Sequence, residues 1–168
     1  RETKLRRFKE TIFLCGRKTG KSSLLSAMAL YMLMADGEGG AEVYSIATKA
    51  DQSRIIFSEA VHMVKQSPAL SKFIHKRKTD MYMPITFSTM APLASESKSL
   101  DGLNSHCVII DELHAIRDRN LYDVMKQSMA ARRQPLLIMI TTAGTVRECI
   151  YDDIYDYATK VVDGVIED

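Results

Sequence analysis

The chain has 168 residues, 46% of them hydrophobic, which suits one domain with a core of its own. A formal net charge of +2 is too small to argue for nucleic-acid binding by itself. No apolar stretch approaches the length of a membrane span, and the first residues do not read as a signal peptide. The scattered Cys15, Cys107 and Cys149 exclude a disulfide frame or zinc site and read as reduced packing residues.

In chain order, the first predicted element is a strand at Ile12, Phe13 and Leu14. It stops at a loop of small and basic residues, Cys15 to Gly20, which leads through Lys21, Ser22 and Ser23 into a predicted helix from Leu24 to Ala35. Strand, loop ending in Gly-Lys-Ser, helix is the layout of a phosphate-binding loop. Gly20 lets backbone N–H groups approach phosphate oxygens without a Cβ in the way. The helix start aims its positive dipole end at an anion. Lys21 can reach β- and γ-phosphates, and the Ser22 hydroxyl can ligate Mg²⁺. The pattern is a variant one: the glycine expected five residues before Gly20 is Cys15, with Gly16 beside it, and Arg17 and Lys18 add two cations before Thr19.

Downstream, a turn at Asp36 to Gly40 precedes a short strand from Val43 to Ala47. Ile55, Phe57, Ala60, Val61 and Val64 then mark a helix across Asp51 to Lys65. Ser67-Pro68 opens another short helix in an Ncap–N1 arrangement. Met81–Met83 and Ile85–Phe87 flank Pro84 and read as edge strands. The Ser-rich stretch from Ser88 to Asn104 reads as a loop or exposed strand. Basic residues cluster at Arg6, Arg7, Lys9, Arg17 and Lys18, and again from His75 to Lys78, where the default reading is a solvated face.

Cys107 to Ile110 is an apolar run ending in Asp111 and Glu112, which reads as a buried parallel strand with acids at its C-terminal end. In an open α/β sheet that end lies where ligands bind. Asp111 is therefore expected beside the phosphate loop, on Mg²⁺ directly or through water, and Glu112 is placed to polarise a water for attack on the γ-phosphate. A helix from Leu121 to Arg132, a strand from Leu136 to Thr142 and a helix from Glu148 to Val162 complete the order. Thr141 and Thr142 lie where small hydroxyls could sense the γ-phosphate. The alternation implies an α/β fold with a mainly parallel central sheet flanked by helices. The Asp111 strand should lie next to the Ile12 strand or one strand away. The class is that of P-loop NTPases with an additional strand between loop and acids and a catalytic glutamate.

The blocks Gly16–Ser22, Tyr44–Ser53, Leu100–Asn104, Ile109–Ala115 and Ile140–Gly144, in this order, resemble the large terminase subunit of tailed bacteriophages, the ATP-driven motor that packs DNA into the capsid. An Arg in the loop, here Arg17, is similar to that family's variant phosphate loop. The resemblance implies phosphate contacts across Gly16 to Ser23, Mg²⁺ on Ser22 and Asp111, Glu112 as catalytic carboxylate, and Thr141-Thr142 as a coupling motif. It also implies ATP and Mg²⁺ as cofactors. The expected partners are double-stranded DNA, a portal protein, a small terminase subunit and further copies in a ring, acting in the bacterial host cytoplasm and transiently on the procapsid portal. The family's adenine-contacting segment before the first strand and its nuclease domain after the last helix have no counterpart within residues 1–168. The expectation is thus a single P-loop ATPase domain, monomeric as a fragment, without nuclease activity. Asp152, Asp153 and Asp156 read as a solvated helix face.

Transition-state charge on a γ-phosphate is commonly met by an arginine. Arg17 is the candidate within the same subunit. Arg132 and Arg133, at the opposite end of the Leu136 strand from Thr141, suit a contact to a neighbouring subunit, or else bind solvent or DNA phosphate. A GTPase reading of Thr48-Lys-Ala-Asp51 fails because that motif should follow the magnesium-binding strand. Another DNA translocase or helicase shares the sheet and the acids and is the enzymatic alternative. A degenerate nucleotide-binding scaffold would be expected to have lost Lys21, Asp111 or Glu112, and all three are present.

Overall fold

The structure, a computed structural model, describes residues 5–16, 18–94, 100, 102–116, 119–142 and 150–167. Its elements are β1 (Glu10–Leu14), α1 (Lys21–Met34), β2 (Glu42–Ala47), α2 (Ala50–Gln66), α3 (Pro68–Ser71), β3 (His75–Lys76), β4 (Met81–Met83) and β5 (Ser88–Ala94). There follow β6 (Ser105–Asp111), a 3₁₀ turn (Leu113–Ala115), α4 (Arg119–Ser128), β7 (Leu136–Thr141) and α5 (Ile150–Val162).

The strands form one seven-stranded sheet in the order β1-β7-β6-β2-β5-β4-β3. The first five of these run parallel, and β4 and β3 close the far edge as an antiparallel pair. β7 is inserted between β1 and β6, so the strand ending in Asp111 lies one strand away from the strand that feeds the phosphate loop. This is the mainly parallel α/β architecture expected from the alternation.

Burial on both faces explains why β6 and β7 read as unbroken apolar runs. Cys107, Ile109, Ile138 and Ile140 pack with Leu25, Leu33, Ile56 and Val64 of α1 and α2 on one face. Val108, Ile110, Leu137 and Met139 pack with Leu113, Leu121, Met125 and Ile150 on the other. The period-two alternation thus feeds two cores, and each fully buried Ile or Leu contributes about 1.5–3 kcal/mol.

Three local expectations change. Ile85–Phe87 is not an edge strand: Pro84 to Phe87 form the turn between β4 and β5, with Phe87 in left-handed backbone (φ 59) and both Ile85 and Phe87 exposed. Of the loop or exposed strand read from Ser88 onward, it is a strand that forms, but a buried to half-buried one: β5, parallel to β2 from Thr89 to Ala94. Pro92 is tolerated there because β4 pairs only with Ser88 to Met90 of β5, so the proline's missing N–H costs no ladder bond on that side. Finally, α4 ends at Ser128, and Met129 to Arg132 are held by i→i−3 bonds of a tightening turn.

Candidate nucleotide site

β1 ends at Leu14, and the loop that follows is closed by its own atoms: Thr19 Oγ1 donates to the Gly16 carbonyl at 2.9 Å. Lys18 (φ 61) and Gly20 (φ 80) both adopt left-handed backbone. Such a conformation strains any residue but glycine, and a Cβ on Gly20 would meet no protein atom, so the space above it is open to a ligand. Helix α1 begins directly at Lys21, where the loop ends, and runs on through the predicted helical segment from Leu24. Its cap residue Gly20 supplies no side-chain acceptor, and its first turn holds no acid. The first-turn N–H groups are therefore left for an anion. Arg17 lies outside the described residues.

The two halves of the candidate site meet across the sheet. Lys21 Nζ lies 3.0 Å from Asp111 Oδ1, and the Asp111 side chain is only 4% exposed. The same Oδ1 accepts the Glu112 backbone N–H at 2.9 Å. Glu112 is half-buried and has left-handed backbone (φ 55, ψ 53), a conformation that costs a non-glycine residue about 1–2 kcal/mol. This breaks the extended run of β6 and starts the 3₁₀ turn, leaving Glu112 at the C-terminal edge of the sheet. Non-glycine residues held in this way cluster at functional sites.

Thr141, at the end of β7, is fully buried at the root of the loop. Its carbonyl accepts the Cys15 N–H at 3.3 Å, and its hydroxyl donates to the Thr142 carbonyl at 3.1 Å. With its proton used in that way, Thr141 Oγ1 accepts from His114 Nδ1 at 2.7 Å. A continuous path therefore runs from Glu112 through the 3₁₀ turn to the strand beside the phosphate loop. His114 had no role in the sequence reading. Its signal was its spacing, three residues after Asp111, but its partner is 27 positions away.

Other residues are placed differently. Ser22 is half-buried in the first turn of α1, and its carbonyl accepts from Ser26 Oγ. The Ser23 hydroxyl donates to Glu59 of α2 at 3.1 Å, a contact within the protein. At the opposite edge of the sheet, Arg132 binds the carbonyls of Gly39, Gly40 and Asn104 and the Glu38 carboxylate, and is 8% exposed. It braces the turn before β2 and is not presented to a neighbour. Arg133 beside it is exposed. Near Arg132, fully buried His106 holds Asp36 at 2.8 Å through Nε2, and Arg6 Nη2 donates to both oxygens of the same carboxylate at 2.6 Å. Burial pulls the His106 pKa down, against the pull of Asp36. Burial likewise pushes the Cys107 thiol up to about 12, so it is an inert packing group. Among the described residues no helix is long and apolar enough to cross a membrane, and no three metal-ligating side chains converge.

The family described as "Terminase large subunit, ATPase domain" matches residues 1–160. The large terminase subunits of Lactococcus phages p2 and SK1 are each 27% identical over 146 residues, covering 84% of this chain and 27% of theirs. The crystal structure of the large terminase of bacteriophage HK97 superposes with a TM-score of 0.84 at 26% identity, covering 92% of this chain and 33% of that one. The large terminase ATPase domain of a Thermus phage shares the fold, with a TM-score of 0.66 at 22% identity over 82% of this chain and 61% of its own. This chain thus spans about a third or less of the full-length relatives. With the phosphate loop facing an Asp-Glu strand across an inserted strand, and a family match over nearly its whole length, the chain belongs to the terminase large subunit ATPase domain family.

Proposed function

We propose that this domain hydrolyses ATP to drive double-stranded DNA into a viral procapsid, as the motor domain of a terminase large subunit. The observation that carries the reading is the 3.0 Å approach of Lys21 to Asp111, beneath an open loop and an uncapped helix start. In this reading the first-turn N–H groups and Lys21 bind the β- and γ-phosphates. Gly16 to Ser23, including Arg17 and Lys18, form the rest of the phosphate cradle.

Asp111 and Ser22 offer two hard oxygen donors, which fits Mg²⁺, a cation that takes few protein ligands and keeps phosphate oxygens and waters for the rest. When bound, it would neutralise charge on the phosphates. Glu112 accepts the proton of the attacking water. Thr141 and Thr142 report the state of the γ-phosphate through His114 to the turn that carries Glu112. Arg17 meets transition-state charge from within the subunit. Arg133, exposed on the opposite edge, does so for a neighbour in a homo-oligomeric ring. The portal protein and a small terminase subunit are the other partners, and the bacterial host cytoplasm and procapsid portal the place of action.

The test is ATP turnover by the full-length protein with and without double-stranded DNA and portal protein. The reading expects turnover that rises when both are present. ATP turnover absent under every condition would overturn it.

A further inference from the structure

Residues 60–79 contain Lys65, Lys72, Lys76, Arg77 and Lys78 without a single Asp or Glu, in a chain whose net charge is only +2. All five side chains are exposed. Folding lays them along one flank of the domain. α2 runs antiparallel to the central strands, from Ala50 near the C-terminal edge of the sheet to Gln66 at the other, and its 17 residues span about 25 Å. Lys65 and Lys72 therefore lie toward the edge opposite the phosphate loop. Lys76, in β3, sits over the Phe57 ring at 5.3 Å, level with the middle of α2. Lys78 reaches the loop's edge, where it lines a cleft with Ala50, Ser53 and Arg54.

The turn beyond β3 is braced in this arrangement. Lys76 Nζ is held by the Arg77 and Lys78 carbonyls. Arg77 forks onto Asp80 and stacks on Tyr82 at 4.5 Å, so its charge is already paired. Lys65, Lys72 and Lys78 have no ion pair among the described residues.

We infer that this flank, from the end of α2 through α3 to the β3–β4 turn, is the surface that tracks a DNA phosphate backbone. A row of lysines about 25 Å long spans the axial rise of about seven base pairs at 3.4 Å each, enough to meet the phosphates that face it. Flexible, strongly hydrated ammonium groups suit contacts that position a duplex without reading its sequence. The Lys78 end of the row shares the sheet edge with Asp111, four strands and about 19 Å away. The grip is thus close enough to be moved by the site and too far to take part in its chemistry. The inference rests on the packaging reading, and supplies its DNA with a contact face.

The experiment measures duplex affinity of the full-length protein against KCl from 50 to 200 mM, using a fluorescein-labelled duplex. Each lost phosphate contact lowers the log–log salt slope by about 0.9, so Lys65→Ala/Lys72→Ala/Lys78→Ala should flatten it by about 2.7. Over that salt range the parent should then lose about 40-fold more affinity than the variant. DNA-free ATP turnover should stay at the parent level, which also certifies folding. The triple Lys→Arg variant should restore the slope, and Lys160→Ala on α5 should leave it unchanged. An unchanged slope in the alanine variant, with duplex binding and turnover intact, overturns the inference and leaves the packaging reading standing. So does an arginine variant that fails to restore it. A parent protein that binds no duplex at all overturns both.

Discussion

Lys21 Nζ and Asp111 Oδ1 are joined at 3.0 Å across 90 positions of sequence, so without nucleotide the loop lysine and the β6 carboxylate neutralise one another. The carboxylate is almost wholly buried, whereas Lys21 keeps 19% of its side chain exposed. Removing the cation leaves a buried charge uncompensated, the expensive direction for such a pair. Lys21→Ala should therefore destabilise the nucleotide-free domain by about 1–3 kcal/mol, discounted for the partial exposure of the lysine. It should also abolish the thermal stabilisation given by ATP and Mg²⁺. Thermal melting with and without nucleotide checks both; a variant stabilised by ATP as strongly as the parent would contradict the role of Lys21.

The His114–Thr141 bond makes a separate prediction. Thr141→Val keeps the shape of the side chain but strands the His114 Nδ1 proton, and His114→Ala removes the other partner. Each should leave ATP affinity near the parent value while lowering turnover and its response to DNA. In a double-mutant cycle on stability the pair should couple by about 0.5–1.5 kcal/mol, the usual net worth of a hydrogen bond. Purely additive losses would show that the two side chains do not act as a unit.

His106 sets a pH dependence. Burial lowers its folded pKa below the ordinary value of 6.5, so the unfolded chain binds the proton more readily. Its neutral form, with Nε2 facing Asp36, is the folded one. Stability should be full above about pH 6.5 and fall as the pH drops from there toward the lowered folded value. His106→Gln should flatten this part of a melting-temperature profile between pH 5 and 8. A parent profile that rises as the pH drops through this window would refute the assignment.

Neighbouring arginines should behave oppositely. Arg132→Ala strands three backbone carbonyls and Glu38, and should cost about 2–4 kcal/mol in chemical denaturation. Arg133→Ala should cost less than about 0.5 kcal/mol, as a surface change does. When Arg133→Ala subunits are mixed with Glu112→Gln subunits, turnover should recover above that of either alone, because an intact pair of neighbours can form. No recovery at any mixing ratio would remove Arg133 from the chemistry.

What the sequence made legible follows from how local its signals are. The phosphate loop, the Asp-Glu strand and the run from Leu136 announce themselves within a few residues, because parallel strands buried on both faces must be continuously apolar. Their order across the sheet was legible only in part: the Asp111 strand was expected beside the Ile12 strand or one strand away, and β7 lies between them. β5 was obscured by the Ser-rich stretch that follows it and by Pro92, whose cost vanishes only because β4 is too short to reach it. Ile85 and Phe87 carry strand-like side chains but end up exposed in a turn, where the pairing of Met83 with Ser88 overrides propensity. Arg132, Asp36, His106 and His114 take roles from partners 27 to 94 positions away, which no local pattern encodes.

The role proposed for Glu112, on its left-handed backbone beyond Asp111, is to activate the water that cleaves ATP. Its most direct test is Glu112→Gln in the full-length protein, with ATP binding and single-turnover hydrolysis measured side by side in the presence of double-stranded DNA. The amide keeps size and polarity but cannot take a proton. ATP affinity should stay near the parent value while hydrolysis falls by about 10²–10⁴. Hydrolysis at the parent rate would place the base elsewhere and remove Glu112 from the chemistry.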